Sequence, residues 1–386
     1  MKDYWGFISL FYLGTYILIG KVSNLKRVDW ILLIGIVIIS LFGLLMIYSA
    51  SYVWAEYKFD DPYKFVKTQA LFLLLGYILI IITLKVPYTK YLSKANLIFG
   101  VCFLLLILVL IPGIGTVRNG SRSWFGIGGF GVQPSEFAKL GMIIFTSKYL
   151  AFNEKALKDI KKGVLPILGV LMLVFGLIML QPDFGTGVII VISIIALLFV
   201  SGVKMGFFIK MGFLGLLGVV GLIIMAPYRM KRIVSFLNPW SDPLGSGFQI
   251  IQSLYAIGPG GLLGLGLGNS IQKHFYLPEP QTDFIFAIIS EEFGFVGVLI
   301  VASLFLIIIY RGFRIAIHCE NKFGKYLAFG ITFQLAFQAL LNLMVVVGLI
   351  PVTGVTLPFL SYGGSSLLIT MLSMSILLNI SKYNYE

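Results

Sequence analysis

Long apolar runs dominate the chain, separated by short polar stretches. They fall at about 29–50, 67–86, 95–112, 134–151, 164–181, 186–203, 206–226, 284–309, 326–350 and 359–380. A run of about 16–25 apolar residues is what an α-helix needs to cross a bilayer core ~30 Å thick. A membrane-spanning β-strand would instead alternate over about ten residues. The pattern therefore predicts an all-α polytopic membrane protein of about ten transmembrane helices. A weaker run from Trp5 to Gly20 follows Lys2 and precedes Lys21, Lys26 and Arg27, with no small-x-small cleavage site. It reads as an uncleaved anchor or an extra N-terminal helix. The expected organisation is an N-terminal extension at 1–28 and one membrane domain at 29–386 with a large loop at 227–282. Within that loop Phe248–Leu254 reads as a short helix, and the six residues Gln181–Thr186 predict a tight helical hairpin.

Composition agrees with lipid as the solvent. Hydrophobic residues make up 59% of the chain and charged residues 12%, against about 25% charged in a soluble domain. A net charge of +13 raises the question of nucleic acid. The cations are scattered through short loops rather than gathered on one face, so no nucleic acid partner is expected. Their distribution instead orients the chain. Lys21, Lys26, Arg27, Lys90, Lys94, Lys155, Lys158, Lys161, Lys162, Lys204, Arg311, Arg314, Lys322 and Lys325 belong to one set of loops. The positive-inside rule places that set in the cytoplasm. The loops at 51–66, 113–133 and 227–282 then face outward. Cys102 and Cys319 fall on a span and on a distant loop, so no disulfide framework is expected.

The unusual residues crowd the outward face in four clusters. The first runs from Arg118-Asn119-Gly120-Ser121-Arg122-Ser123-Trp124 to Gln133-Pro134-Ser135-Glu136. Pro134 suits a helix's first turn. Glu136 and Lys139, three apart, share a helix face, either as a structural ion pair or as a cavity wall that touches a ligand. The second cluster is Gln181-Pro182-Asp183-Phe184-Gly185-Thr186, where Asp183 reads as a cap for the next helix. The third runs from Asn238-Pro239-Trp240 to Leu277-Pro278-Glu279-Pro280-Gln281-Thr282-Asp283-Phe284. Its Gly264-Leu265-Gly266-Leu267-Gly268-Asn269 stretch lacks the strand and helix that a dinucleotide fingerprint requires. It reads as flexible backbone packed close to lipid or a ligand. Asp283 precedes a strongly apolar helix, a setting that suits either a partly desolvated general base or an N-cap. Glu291 and Glu292, two turns deeper, read as packing or ion pairing. The fourth cluster is Pro351-Val352-Thr353-Gly354 with Leu357-Pro358-Phe359-Leu360-Ser361-Tyr362-Gly363-Gly364-Ser365-Ser366. Its small residues permit close helix packing, or its hydroxyls line a site. No metal constellation is apparent, and no nucleotide-binding module.

These motifs, in this order, resemble the FtsW/RodA/SpoVE family over about 29–382. Gln-Pro-Ser-Glu stands at 133–136, Asn-Pro-Trp at 238–240, Leu-Pro-Glu with Thr-Asp-Phe at 277–284, and the Pro-x-x-Gly to Ser-Tyr-Gly-Gly-Ser-Ser ending at 351–366. Arg118-Asn119-Gly120 with Pro351–Gly354 looks closer to the SpoVE/FtsW branch than to RodA. Ser123 separates Arg122 from Trp124 where many members have Arg-Trp, and Pro280-Gln281 replaces a common Ala-His. The family's role for that histidine therefore does not transfer.

The resemblance implies a peptidoglycan glycosyltransferase that polymerises lipid II on the outer face of the bacterial cytoplasmic membrane. It implies a class B penicillin-binding protein, a transpeptidase, as partner, together with divisome or elongasome membrane proteins. It maps the catalytic carboxylate onto Asp283. The expected reaction is inverting: Asp283 takes a proton from the acceptor sugar, and a pyrophosphate leaves. Arg122, with Arg229, Lys231 and Arg232, is expected to meet the pyrophosphate. Trp124, Glu136, Lys139, Ser361 and Ser365 complete the expected substrate-binding set. No cofactor is evident, although a divalent cation is compatible with a pyrophosphate leaving group. Two other classes fit ten helices: a lipid II flippase or transporter, and a non-enzymatic scaffold of the division complex.

Overall fold

A computed structural model describes residues 28–118, 120–127, 130–224, 236–245 and 247–383. The predicted helix at 5–20, Asn119 and the basic trio Arg229, Lys231 and Arg232 lie outside the described residues. Among the described residues, eleven α-helices follow one another: α1 (Trp30–Phe59), α2 (Lys64–Lys85), α3 (Thr89–Leu108), α4 (Pro134–Phe152), α5 (Leu165–Met179), α6 (Phe184–Val200), α7 (Met205–Ile224), α8 (Phe248–Ile257), α9 (Ile285–His318), α10 (Lys322–Val346) and α11 (Gly364–Tyr383). Each predicted apolar run coincides with a helix, and α8 is the short helix expected in the large loop. Among the described residues, seven helices are long and apolar enough to cross a membrane. The chain is a multi-pass membrane protein. α4 falls outside that seven because it carries Glu136, Lys139 and Lys148.

Three boundaries differ from the sequence reading. α1 continues through the expected loop at 51–66, because no glycine or proline interrupts the chain before Pro62. It stops at Asp60, whose φ of 54° ends the helix while its N–H donates to Glu56 O. α9 likewise runs on to His318, which carries Arg311 and Arg314 into the helix rather than a loop. Arg311 Nε donates to Asp29 Oδ2 at 2.8 Å. Asp29 also caps α1 by accepting from Leu32 N, while its own N–H donates to Ser381 Oγ at 3.1 Å. One buried aspartate thus ties α1, α9 and the end of α11 together, its carboxylate holding the first two and its N–H the third.

The third difference is a small antiparallel sheet in an otherwise helical chain. β1 (Thr116–Arg118), β2 (Ser121–Ile127) and β3 (Phe130–Val132) pair in the order β1-β2-β3 between α3 and α4. Thr116 stands opposite Trp124, and Phe125 opposite Val132. The stretch reads as a loop in sequence because its strands are short and glycine-rich.

Helices approach closely where side chains are small. A Cβ on Gly141 of α4 would lie 2.8 Å from Cys102 Sγ of α3, and one on Gly76 of α2 would lie 2.8 Å from Met371 Cγ of α11. Both cysteines are buried and free.

α9 is interrupted rather than continuous. An unbroken helix of 34 residues would run about 51 Å at ~1.5 Å per residue, well past the bilayer core. Gly294 breaks it, with φ 61° and ψ −158°, a backbone setting that glycine alone adopts without strain. The glycine-rich segment enters at that break. Leu265 N–H donates to Glu291 O and Gly266 N–H to Glu292 O, each at 2.9 Å. In return Phe295 N–H donates to Gly261 O at 2.9 Å and Val296 N–H to Leu262 O at 3.1 Å. These four α9 backbone groups at the break are therefore paired in low dielectric. This exchange is the reason for the glycines: the segment packs against the backbone of α9, where the sequence reading set it against lipid or a ligand.

Glu291 and Glu292 complete the attachment. Both are fully buried. Glu291 accepts from Ile271 N at 2.8 Å and from Ser270 Oγ. Glu292 accepts from Ser49 Oγ of α1 at 2.7 Å and pairs with the buried Lys273 at 3.0 Å. The Lys273 ammonium also lies 4.9 Å from the Tyr52 ring centroid.

Candidate active site

Hydrogen bonds stitch the four sequence clusters together at the end of the bundle that carries the sheet. Ser121 Oγ donates to Gln181 O, and Gln133 Nε2 donates to Asp183 Oδ2 at 3.0 Å, joining the first cluster to the second. A Cβ on Gly185 would stand 2.8 Å from Thr353 O, so the second cluster packs on the fourth. Tyr362 N–H donates to Gln281 O at 2.8 Å, joining the fourth to the third. Ser365 Oγ donates to Gly131 O at 2.9 Å and accepts from Gln133 N at 3.2 Å, closing the ring.

The ring encloses a cavity of about 1420 Å³, larger than the ~300–1,000 Å³ of an ordinary small-ligand site. Its polar lining includes Lys58, Ser121, Ser123, Gln133, Glu136, Lys139, Asp183, Glu279, Gln281, Asp283 and Gln338. Trp54, Phe59, Phe65, Phe72, Trp124, Phe284 and Tyr362 supply the apolar wall. Aromatic faces of this kind can stack on sugar rings, and the aliphatic remainder can meet a lipid chain.

Asp283 lines this cavity one residue before the helix boundary. The N-cap of α9 is Phe284, which makes no side-chain cap, so Asp283 is not the N-cap of α9. Its Oδ2 lies 3.8 Å from where a Cβ on Gly354 would be. Gly354 has φ 75°, and glycine leaves the space beside the carboxylate open.

Glu136 and Lys139 form a buried pair at 2.9 Å. Lys139 also donates to Gln338 Oε1 at 2.8 Å, and Gln338 Nε2 donates to Thr356 O at 3.0 Å. Both side chains line the cavity, so the ion-pair reading and the cavity-wall reading of the sequence describe the same residues. Trp124 lines it as well.

Asp183 accepts from Thr186 N at 3.2 Å as the cap of α6, and its other oxygen accepts from Ser135 Oγ at 3.0 Å. Burial pushes its carboxyl above the usual range, against these hydrogen bonds. Asp183→Asn should cost less than alanine, because its oxygen still caps α6 and it carries no charge to desolvate, although its amide nitrogen cannot accept from Gln133 and Ser135. Asp183→Ala should cost about 1–3 kcal/mol through the lost cap and the stranded donors of Gln133 and Ser135. Thermal unfolding in detergent checks the order.

Three expected site residues do not face the cavity. Arg122 lies between Ser121 and Ser123 in β2 but is not part of the lining. It packs on the turn before β1, its Cγ 3.1 Å from where a Cβ on Gly115 would be. Ser361 is buried, and its hydroxyl accepts from Leu357 N at 2.8 Å. Ser365 is the brace between β3, α4 and α11 described above. Both serines hold the wall, and Tyr362, Gly363, Gly364 and Ser366 form it. Lys58, near the end of α1, is a lining cation that the sequence reading placed in an ordinary loop. Its ammonium lies 5.1 Å from the Trp54 ring centroid. Only the unexpected length of α1 brings it here. Among the described residues, no three His, Cys, Asp or Glu side chains converge as metal ligands.

The comparisons with known proteins decide the family. The FtsW/RodA/SpoVE family model, described as a cell cycle protein, matches residues 29–386. The chain belongs to the FtsW/RodA/SpoVE family. Stage V sporulation protein E of Bacillus subtilis (strain 168) is 53% identical over 356 residues, 92% of this chain and 97% of the relative. A probable peptidoglycan glycosyltransferase FtsW from Geobacter sp. (strain M18) is 43% identical over 353 residues, 92% of this chain and 96% of that protein. Among solved structures, a chain from a peptidoglycan synthase complex that coordinates polymerization and crosslinking superposes with a TM-score of 0.77 at 30% identity. It covers 94% of this chain and 99% of its own. The rod shape determining protein RodA of Thermus thermophilus superposes with a TM-score of 0.67 at 28% identity, again covering 94% and 99%. The family therefore accounts for the ordered motifs that the cavity gathers.

Proposed function

We propose that this FtsW/RodA/SpoVE protein is a peptidoglycan glycosyltransferase that polymerises lipid II at the outer face of the bacterial cytoplasmic membrane. The observation that carries the reading is the carboxylate of Asp283 in a cavity roomy enough for two lipid-linked sugars. Asp283 accepts the proton of the acceptor sugar's hydroxyl. The hydroxyl oxygen bonds to the donor's anomeric carbon as the bond from that carbon to the lipid pyrophosphate breaks, inverting the centre. Glycoside hydrolysis generally needs a second carboxylic acid to protonate its leaving oxygen. A pyrophosphate needs cations instead, which fits a site with one critical base. Lys58 takes the electrostatic role first expected of Arg122. Arg229, Lys231 and Arg232 remain candidates for the same task, and a divalent cation carried in with the pyrophosphate would share it. Holding both sugars in one cavity supplies rate through orientation, and the apolar wall lets the prenyl chains stay in lipid. A class B penicillin-binding transpeptidase is the partner that would cross-link the product, and divisome or elongasome proteins would place the pair.

Lys58→Ala should lower turnover about tenfold, or ~1.4 kcal/mol of transition-state stabilisation, with Lys58→Arg retaining more. Arg122→Ala should leave turnover near wild type. Steady-state polymerisation of labelled lipid II measures both. The reading as a whole is tested with purified protein in liposomes, with and without a cognate transpeptidase. Polymer formation supports it. Movement of lipid II between leaflets without polymer would instead make the protein a flippase.

A further inference from the structure

We propose that Asn342 is a positioning residue for the Asp283 carboxylate, an inference that rests on the reading of Asp283 as the base. Asn342 sits on α10 and is 1% exposed. Its side-chain nitrogen donates both protons, one to Asp283 O at 2.7 Å and one to Val355 O at 2.8 Å. Those carbonyls belong to the two segments that face each other across the base. One carries Asp283, and the other carries Gly354, beside which the Asp283 carboxylate lies. A single carboxamide therefore fixes the separation of the reacting group from the wall opposite it.

The main chain around Asp283 needs such a fixture. Near this end of α9, Ala287 N–H donates to Phe284 O at 2.9 Å. That bond accepts one residue beyond Asp283. The Asp283 carbonyl is thus held by a side chain from another helix. Val355 is likewise irregular, between the left-handed Gly354 and the turn that precedes α11. Two donors on one planar group, at a fixed angle, are what this geometry asks for. Among side chains of this size only asparagine offers them. Aspartate would present oxygens to two carbonyl oxygens, and leucine would remove both donors.

Asn342 is not part of the cavity lining, so it acts through Asp283 rather than on substrate. One helical turn earlier Gln338 makes the equivalent reach to Thr356 O. The two amides hold the 355–356 segment against α10 at successive positions.

The test uses the full chain with its cognate transpeptidase and labelled lipid II. Asn342→Leu should lower kcat by 10- to 100-fold, the scale of loss expected when a reacting group shifts by about 1 Å. KM should stay within twofold, because Asn342 touches no substrate. The acidic limb of the kcat/KM pH profile should move, because the carboxylate's surroundings change. Asn342→Gln, which keeps both donors, should retain more kcat than Asn342→Leu despite its poorer fit. A packing role predicts the reverse order, since leucine matches asparagine's size. Asn342→Ser adds no bulk and removes the second donor, and it should lose kcat even where the leucine variant does not fold. Ser253→Ala is the control. It removes another buried tie to α10, the bond to Val346 O at 2.7 Å, away from the cavity, and should leave kcat unchanged. Wild-type kcat and an unmoved pH profile in folded Asn342→Leu or Asn342→Ser, beside an inactive Asp283→Asn, would overturn the positioning role alone. An active Asp283→Asn would overturn the reading of the base itself.

Discussion

Asp283→Asn is expected to reduce lipid II polymerisation by about 10²–10⁴-fold, the usual contribution of a positioned general base. The variant should fold as the wild type does. The Asp283 carbonyl that Asn342 holds belongs to the main chain, so asparagine removes the base and keeps that tie. KM should change little, because the amide fills the same space in the cavity. Asp283→Glu is a sharper probe. It keeps a carboxylate but pushes it towards Gly354, whose Cβ position is only 3.8 Å from Asp283 Oδ2. We expect it to recover a minor part of the lost rate. Wild-type rates for Asp283→Asn would remove the base from this mechanism.

The second large effect concerns stability. Lys273→Met should destabilise the protein by about 3–5 kcal/mol, because it leaves Glu292 charged and fully buried without its cation. The hydrogen bond from Ser49 Oγ would remain but does not neutralise the charge. Glu292→Gln should cost a similar amount by leaving the buried ammonium without a counter-charge, with only a neutral amide oxygen and the Tyr52 ring beside it. The double variant, Lys273→Met with Glu292→Gln, should be more stable than either single change, since no buried charge is left. Thermal unfolding in detergent reads all three. Losses that simply add would show that the two residues do not act as a pair.

The helices were legible because lipid imposes a strong rule. Each span must be apolar for its whole length, and ten such runs stand out against short basic loops. The site was legible in part. Pro, Gly, Trp and paired polar residues cluster where the chain does something other than span, and all four clusters line one cavity. What sequence did not carry were long-range placements. Lys58 looks like an ordinary loop lysine until α1 proves nine residues longer than its apolar run. Arg122 has the charge that a pyrophosphate needs, but the short strand holding it turns it against Gly115, and those strands carry no strong alternation. Ser361 and Ser365 look like ligands in sequence, yet their hydroxyls are engaged with the backbone. Asn342 was missed because it lies inside an apolar span, one turn from the end of α10. The available signal was a pair of buried amides, Gln338 and Asn342, four apart on one face of α10. Amides inside a span are costly unless something uses them.

The splice at Gly294 has a consequence for how substrate enters and product leaves. The glycine-rich segment supplies four hydrogen bonds that α9 lacks at its break, and the loop beyond it is moored again by Ser270, Ile271 and Lys273. Peeling it away would bare backbone groups at about 1–3 kcal/mol each, besides splitting the buried ion pair. The segment from Gly261 to Lys273 is therefore a fixed sill, not a gate. On the proposed mechanism, traffic through the cavity must pass beside it, and Asp283 stays at one station while the lipid-borne strands slide past.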